Sequence, residues 1–137
     1  MSRARLAAAS GAGLALLAAP LIAADTPAAP PQRIISVDGA LTEIVYALGA
    51  ADRLVGVDTT SLYPAAAEAL PKVGYKRALS AEGLLSLSPE VVLATDDAGP
   101  PEVLEQVMRA GVSIRTIPDT STVAGLHRKI GAVAALL

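Results

Sequence analysis

An α/β lobe, a parallel sheet carrying helices on both faces, is the fold that this sequence of 137 residues predicts. Three observations lead there. Short β-branched runs alternate with segments of helical periodicity. One of those runs, Val91-Val92-Leu93-Ala94, is apolar throughout, as a strand covered on both faces must be. Four strands separated by helices also require repeated right-handed crossovers, which set the strands parallel and divide the helices between two layers.

The first strand is Arg33-Ile34-Ile35-Ser36-Val37. The helix after it, Leu41 to Leu48, spaces Leu41, Ile44, Val45 and Leu48 along one face. Thr42 is placed to accept from that helix's first amides, with Glu43 in the first turn and Gly49 closing the end. Arg53 to Val57 is the second strand. The polar loop Asp58 to Tyr63 follows, then a short helix, Pro64 to Leu70, opened by its proline. Pro71 to Arg77 is too short and mixed for an interior strand and reads as a connector touching the sheet edge. Ser80 caps a helix from Ala81 to Leu87, with Leu84, Leu85 and Leu87 available for burial. Beyond the strand Val91 to Ala94 and the loop Thr95 to Gly99, the helix Pro100 to Ala110 turns Val103, Leu104 and Val107 inward and ends at Gly111. Val112 to Ile117 is the last strand. Ser121 to Leu137 is the last helix, with Val123, Leu126, Ile130, Val133 and Leu137 on one stripe. The loops after the strands, at Asp38 to Ala40, Asp58 to Tyr63, Thr95 to Gly99 and Pro118 to Thr120, then share one rim, where open α/β sheets hold ligands.

The flanks add constraints. Two arginines in Met1 to Arg5, an uncharged Leu6 to Ala24 and a break at Asp25-Thr26-Pro27 have the order of a secretory signal. The expected division is a signal peptide at 1–24, a Pro-rich leader at 25–32 and the lobe at 33–137. A buried or membrane-anchoring Ala/Leu helix is the alternative for the first segment. Without Arg3 and Arg5, nine basic residues stand against 13 acidic ones, a balance that argues against a nucleic-acid partner. With no cysteine there is no disulfide, no thiolate metal site and no thiol for a lipid anchor, so the expected location is the periplasm, as a soluble, exported protein. The final helix runs to Leu137 without cap or polar tail, which reads as a lobe cut short of a second one.

Enzyme signatures are missing. No Gly-x-Gly-x-x-Gly follows the first strand, and neither a Gly-Lys-Ser/Thr phosphate loop nor a Gly-x-Ser-x-Gly elbow occurs. His127, the only histidine, lies mid-helix beside Arg128 and Lys129. Asp38, Asp58, Asp96 and Asp97 follow strand ends, where carboxylates either bind a hard cation, act as an acid/base pair, or cap turns. Tyr63 follows Thr59-Thr60-Ser61 and is held by Pro64. It is either a packing residue or a hard oxygen ligand of the kind a phenolate offers ferric iron.

The blocks Arg33-Ile-Ile-Ser36, Thr42-Glu43-Ile-Val-Tyr-Ala-Leu-Gly49, Val55-Gly-Val-Asp-Thr-Thr-Ser-Leu-Tyr-Pro64, Leu70-Pro-Lys-Val-Gly-Tyr75, Arg77-Ala-Leu-Ser-Ala-Glu-Gly83, Leu87-Ser-Pro89 and Asp97-Ala-Gly-Pro-Pro101 together resemble the periplasmic haem-binding proteins of bacterial haem ABC importers. Those sit in a wider class that also carries cobalamin and ferric siderophores. The resemblance implies the amino-terminal lobe of a two-lobe, helix-linked binding protein that captures ferric haem, with Tyr63 as axial iron ligand. It also implies Glu82 docking on the membrane permease of an ABC transporter. With haem as ligand, Leu62, Ala98 and Gly99 are candidates to contact the porphyrin, and Lys76 and Arg77, alternatively a solvated pair on a surface connector, are candidates to meet the propionates. Glu82 equally suits its helix's positive end. An outer-membrane haem receptor system is implied only indirectly. The rival readings are a siderophore or cobalamin binder, a metal-dependent enzyme fragment built on Asp58, Asp96 or Asp97, and a truncated lobe with no binding function of its own.

Overall fold

The computed structural model describes residues 28–137; the export signal expected at 1–24 lies outside the described residues. The elements run β1 (Ile34–Val37), α1 (Gly39–Ala47), β2 (Leu54–Val57), α2 (Ala65–Glu68), β3 (Gly74–Tyr75), β4 (Ala78–Leu79), α3 (Ala81–Leu85), β5 (Val91–Thr95), α4 (Pro101–Arg109), β6 (Ser113–Ile117) and α5 (Val123–Leu136). The strands β2-β1-β5-β6 form one sheet in that order, each pair parallel, and β3 and β4 make a separate antiparallel hairpin. The α/β architecture is therefore the one the periodicity predicts.

Alternation along the two central strands builds two cores. Ile34, Val91 and Leu93 face the side covered by α1 and α5, where they meet Leu41, Val45 and Val133. Ile35, Val37, Val92 and Ala94 face the other side and meet Leu79, Leu84 and Val107 from the hairpin, α3 and α4. Each fully buried Leu or Val contributes about 1.5–3 kcal/mol through lost water contact, enough for layers of small side chains without Phe or Trp.

Four local expectations are corrected. α1 begins at Gly39, not Leu41, because Asp38 is its N-cap and accepts from Ala40 N–H at 2.9 Å. Thr42 is instead buried one turn into the helix, and Leu48 is 41% exposed past its end. In α5 the buried line is Gly125, Lys129 and Val133, whereas Val123, Leu126 and Ile130 are exposed. Two contacts set that rotation. A Cβ at Gly125 would lie 2.5 Å from Thr120 Oγ1, and Lys129 Nζ sits 2.6 Å from Asp119 Oδ1. The connector from Pro71 does run along the sheet edge: Val57 N–H donates to Pro71 O and Val73 N–H to Val57 O, both at 3.0 Å.

Candidate ligand-binding rim

Parallel strands place all four loops at one edge of the sheet, and hydrogen bonds join each to the next. Asp58, fully buried, accepts through Oδ1 from Asp38 N–H at 3.1 Å and Ser61 Oγ at 2.8 Å. Its Oδ2 accepts from Thr60 N–H at 3.1 Å and Thr60 Oγ1 at 2.7 Å. Thr60 Oγ1 accepts in turn from Gly39 N–H at 3.1 Å, and Ser61 Oγ lies 2.7 Å from Thr42 Oγ1, which donates to Ser36 Oγ. The first two loops are thereby locked together. A Cβ on Gly39 would come within 2.7 Å of Thr60 O, so only glycine permits this approach.

Charge pairs carry the belt onward. Lys76 Nζ lies 2.9 Å from Asp38 Oδ2 and 3.1 Å from Asp97 Oδ2, and Arg77 Nη2 reaches the same Asp97 oxygen at 2.6 Å. Asp96 Oδ1 accepts from Asp119 N–H at 3.3 Å, which ties the β5 loop to the β6 loop. Hydrogen bonds from Thr95 and Arg77 hold the Asp97 carboxyl well below the usual carboxylate range. Burial disfavours the charge on Lys76, but its bonds to Asp38 and Asp97 outweigh that and raise its pKa. Asp38 keeps a backbone φ of 130°, a strained value for a residue with a Cβ, held by these bonds on both sides. The rim carboxylates thus cap turns and pair with cations, and among the described residues no group of three or more His, Asp or Glu is arranged to hold a metal ion.

Tyr63 projects from this locked loop with 67% of its surface exposed, beside Leu62 at 63%. It borders a groove of about 520 Å³ between α1 and α5, walled by Ala40, Ile44, Ala47, Pro64 and Leu126, with Glu43 and Tyr46 also in the lining. The other expected site residues divide. Lys76, Arg77 and Asp97 come together on the β5 side of the rim. Ala98 is half-buried, and Gly99 is buried with its N–H donating to Lys76 O and its carbonyl accepting from Leu79 N–H. Glu82 is exposed in the first turn of α3, on the sheet face opposite α1. His127 is exposed on α5. Sequence reasoning passed over Lys72, whose ammonium donates to Ser61 O and Ala67 O; since its partners are backbone carbonyls, no residue pattern announces it.

A parallel α/β lobe with a hydrogen-bonded strand-end rim is the architecture of a binding-protein lobe, open α/β sheets holding ligands at that edge. The family model described as "Periplasmic binding protein" matches residues 34–137, and the chain belongs to that family, one of binding proteins and not of enzymes. Within it the chain is related to both haem- and cobalamin-binding proteins. It is 52% identical to the periplasmic heme-binding protein BhuT, solved with two hemes, at a TM-score of 0.71 over 76% of this chain and 41% of that one. A periplasmic heme-binding protein from Pseudomonas aeruginosa is 43% identical, with a TM-score of 0.71 over 77% and 39%. The vitamin B12-binding protein of Vibrio vulnificus strain YJ016 is 38% identical over 64% of this chain, and the chain spans 32% of that relative's length.

Proposed function

We propose that this chain is the haem-receiving lobe of a periplasmic binding protein, taking ferric haem and delivering it to an ABC permease. The observation that carries the reading is Tyr63: a phenol held outward on a rigid loop at the ligand-binding edge, next to an apolar groove. A phenolate is a hard donor that favours ferric iron, and apolar walls suit a porphyrin face. The 42–52% identity to several haem-binding structures supports the same ligand.

In this reading Tyr63 supplies the axial oxygen and Leu62 packs on the macrocycle. Arg77, with 61% of its side chain exposed, offers the rim's accessible cation to a propionate, while Lys76 between Asp38 and Asp97 holds Arg77's partner in place. Ala98 adds small apolar surface, and Gly99 shapes the loop through its backbone. Glu82 stands on the far face, free to meet a permease while ligand occupies the rim, and contributes mainly to encounter and orientation. Export places the protein in the periplasm.

The test is a hemin titration of the full chain followed by absorption and resonance Raman spectra. Wild type should show a phenolate-ligated ferric spectrum that Tyr63→Phe abolishes. The second reading, cobalamin capture, is favoured by the 35–38% identity to vitamin B12-binding proteins. Saturable binding of cyanocobalamin with no hemin spectrum would select it.

A further inference from the structure

Resting on the haem reading, we propose that Lys72 is the positioning residue for Tyr63, a cationic staple that fixes the pose of the phenol without touching the ligand. Two-thirds of the Tyr63 residue is open to solvent, so its direction is inherited from the backbone on either side of it. That backbone is tied at two points by one group. Lys72 Nζ donates to Ser61 O at 3.1 Å and to Ala67 O at 3.0 Å, so a single ammonium bridges carbonyls before and after Leu62-Tyr63-Pro64.

The staple is itself anchored. Lys72 lies in the edge segment beside β2, where Val57 N–H donates to Pro71 O, Val73 N–H to Val57 O, and Thr59 N–H to Gly74 O at 2.9 Å. The side chain therefore starts from fixed backbone and spans to a loop that has no strand pairing of its own at Ser61 to Pro64. Among the described residues Lys72 makes no salt bridge, in contrast to Lys76 and Lys129, each of which is paired with a carboxylate. Its charge is spent on peptide carbonyls, and charge-assisted bonds of this kind are stronger than those a neutral donor would make. Asp58 completes the arrangement from the other side: its carboxylate accepts from Thr60 N–H and from the Thr60 and Ser61 hydroxyls, while Lys72 grips the Ser61 carbonyl. The segment leading into Tyr63 is held between a buried anion and a bridging cation. An oxygen ligand already aimed before iron arrives avoids the cost of ordering it during binding.

The experiment combines Lys72→Met, which keeps the stem and removes the donors, Lys72→Arg, which restores a cation, and each in a Tyr63→Phe background. First, amide hydrogen exchange on the ligand-free chain should accelerate about tenfold between residues 61 and 70 in Lys72→Met, stay unchanged in β1 and β5, and recover in Lys72→Arg. Unchanged exchange in the loop overturns the staple. Second, Lys72→Met should weaken ferric hemin binding about tenfold and diminish the iron-phenolate Raman modes, but change affinity less than about twofold once Tyr63 is phenylalanine. Equal losses in both backgrounds would mean that Lys72 meets the haem directly, which overturns the proposal. If Tyr63→Phe alone leaves hemin affinity and spectrum unchanged, the haem reading fails, and the exchange result decides whether the staple holds the loop.

Discussion

Replacing Asp58 with asparagine isolates what the rim's buried carboxylate contributes. The amide keeps the size and can keep accepting at Oδ1 from Asp38 N–H and Ser61 Oγ. Its NH₂ group then lands where Oδ2 had accepted from Thr60 N–H and Thr60 Oγ1. The Thr60 hydroxyl can rotate to accept, whereas the Thr60 N–H cannot and is left facing another donor. A shielded donor without acceptor costs about 1–3 kcal/mol, and the two surviving bonds lose their charge assistance at about 0.5 kcal/mol each. Asp58→Asn should therefore destabilise the lobe by about 2–4 kcal/mol, a large share of the roughly 5–15 kcal/mol typical of a domain. Urea unfolding followed by far-UV circular dichroism reads this as a midpoint lowered by about 1–2 M at unchanged slope. Exposed Glu43→Gln serves as the control and should leave the midpoint in place. A midpoint shift in Asp58→Asn below about 0.3 M would refute the assignment of Asp58 as an ionised acceptor of four bonds.

The depressed carboxyl of Asp97 gives a pH dependence of defined sign: stabilisation is complete above the unfolded pKa near 4 and is lost as pH falls through the folded value. Asp97→Asn should cost about 1–2 kcal/mol at neutral pH, and its urea midpoint should begin to approach wild type as pH falls below about 4 and continue to do so toward the depressed folded value; a pH-independent difference would contradict the pairing. The pair Lys129 and Asp119 should respond asymmetrically, because Lys129 is 6% exposed and Asp119 42%. Asp119→Ala strands a buried ammonium and should cost about 3 kcal/mol, whereas Lys129→Met leaves a carboxylate that water can reach and should cost less than about 1 kcal/mol. Similar losses in calorimetry for both variants would show that burial does not set the energetics of this pair.

What the sequence discloses here is what local periodicity and strand direction dictate. Strands buried on both faces read as nearly continuous apolar runs, so Val91 to Ala94 of β5 and, apart from the buried Ser36, β1 were legible, and parallel strands put their carboxyl-end loops on one rim whatever those loops contain. A helix with two competing stripes is different. Val123, Leu126 and Ile130 form the more apolar line on α5, yet the line that packs holds a glycine and a lysine, because Thr120 demands close backbone approach and Asp119 supplies a counter-ion. Periodicity measures the hydrophobicity of each stripe and is blind to a partner in the preceding loop. Thr42 fails as a cap for the same reason: its hydroxyl is engaged by Ser36 and Ser61, and Ser61 is 19 residues distant. The candidate site follows suit. Tyrosine at position 63 can be read from the chain as an exposed oxygen donor, but the bonds that Asp58 and Lys72 make to the residues flanking it involve hydroxyl, amide and carbonyl groups that many sequences would provide. Because those bonds engage Ser61 and Ala67 on either side of the exposed ring, substitutions at Asp58 or Lys72 test the proposed presentation of the Tyr63 oxygen while leaving Tyr63 itself in place.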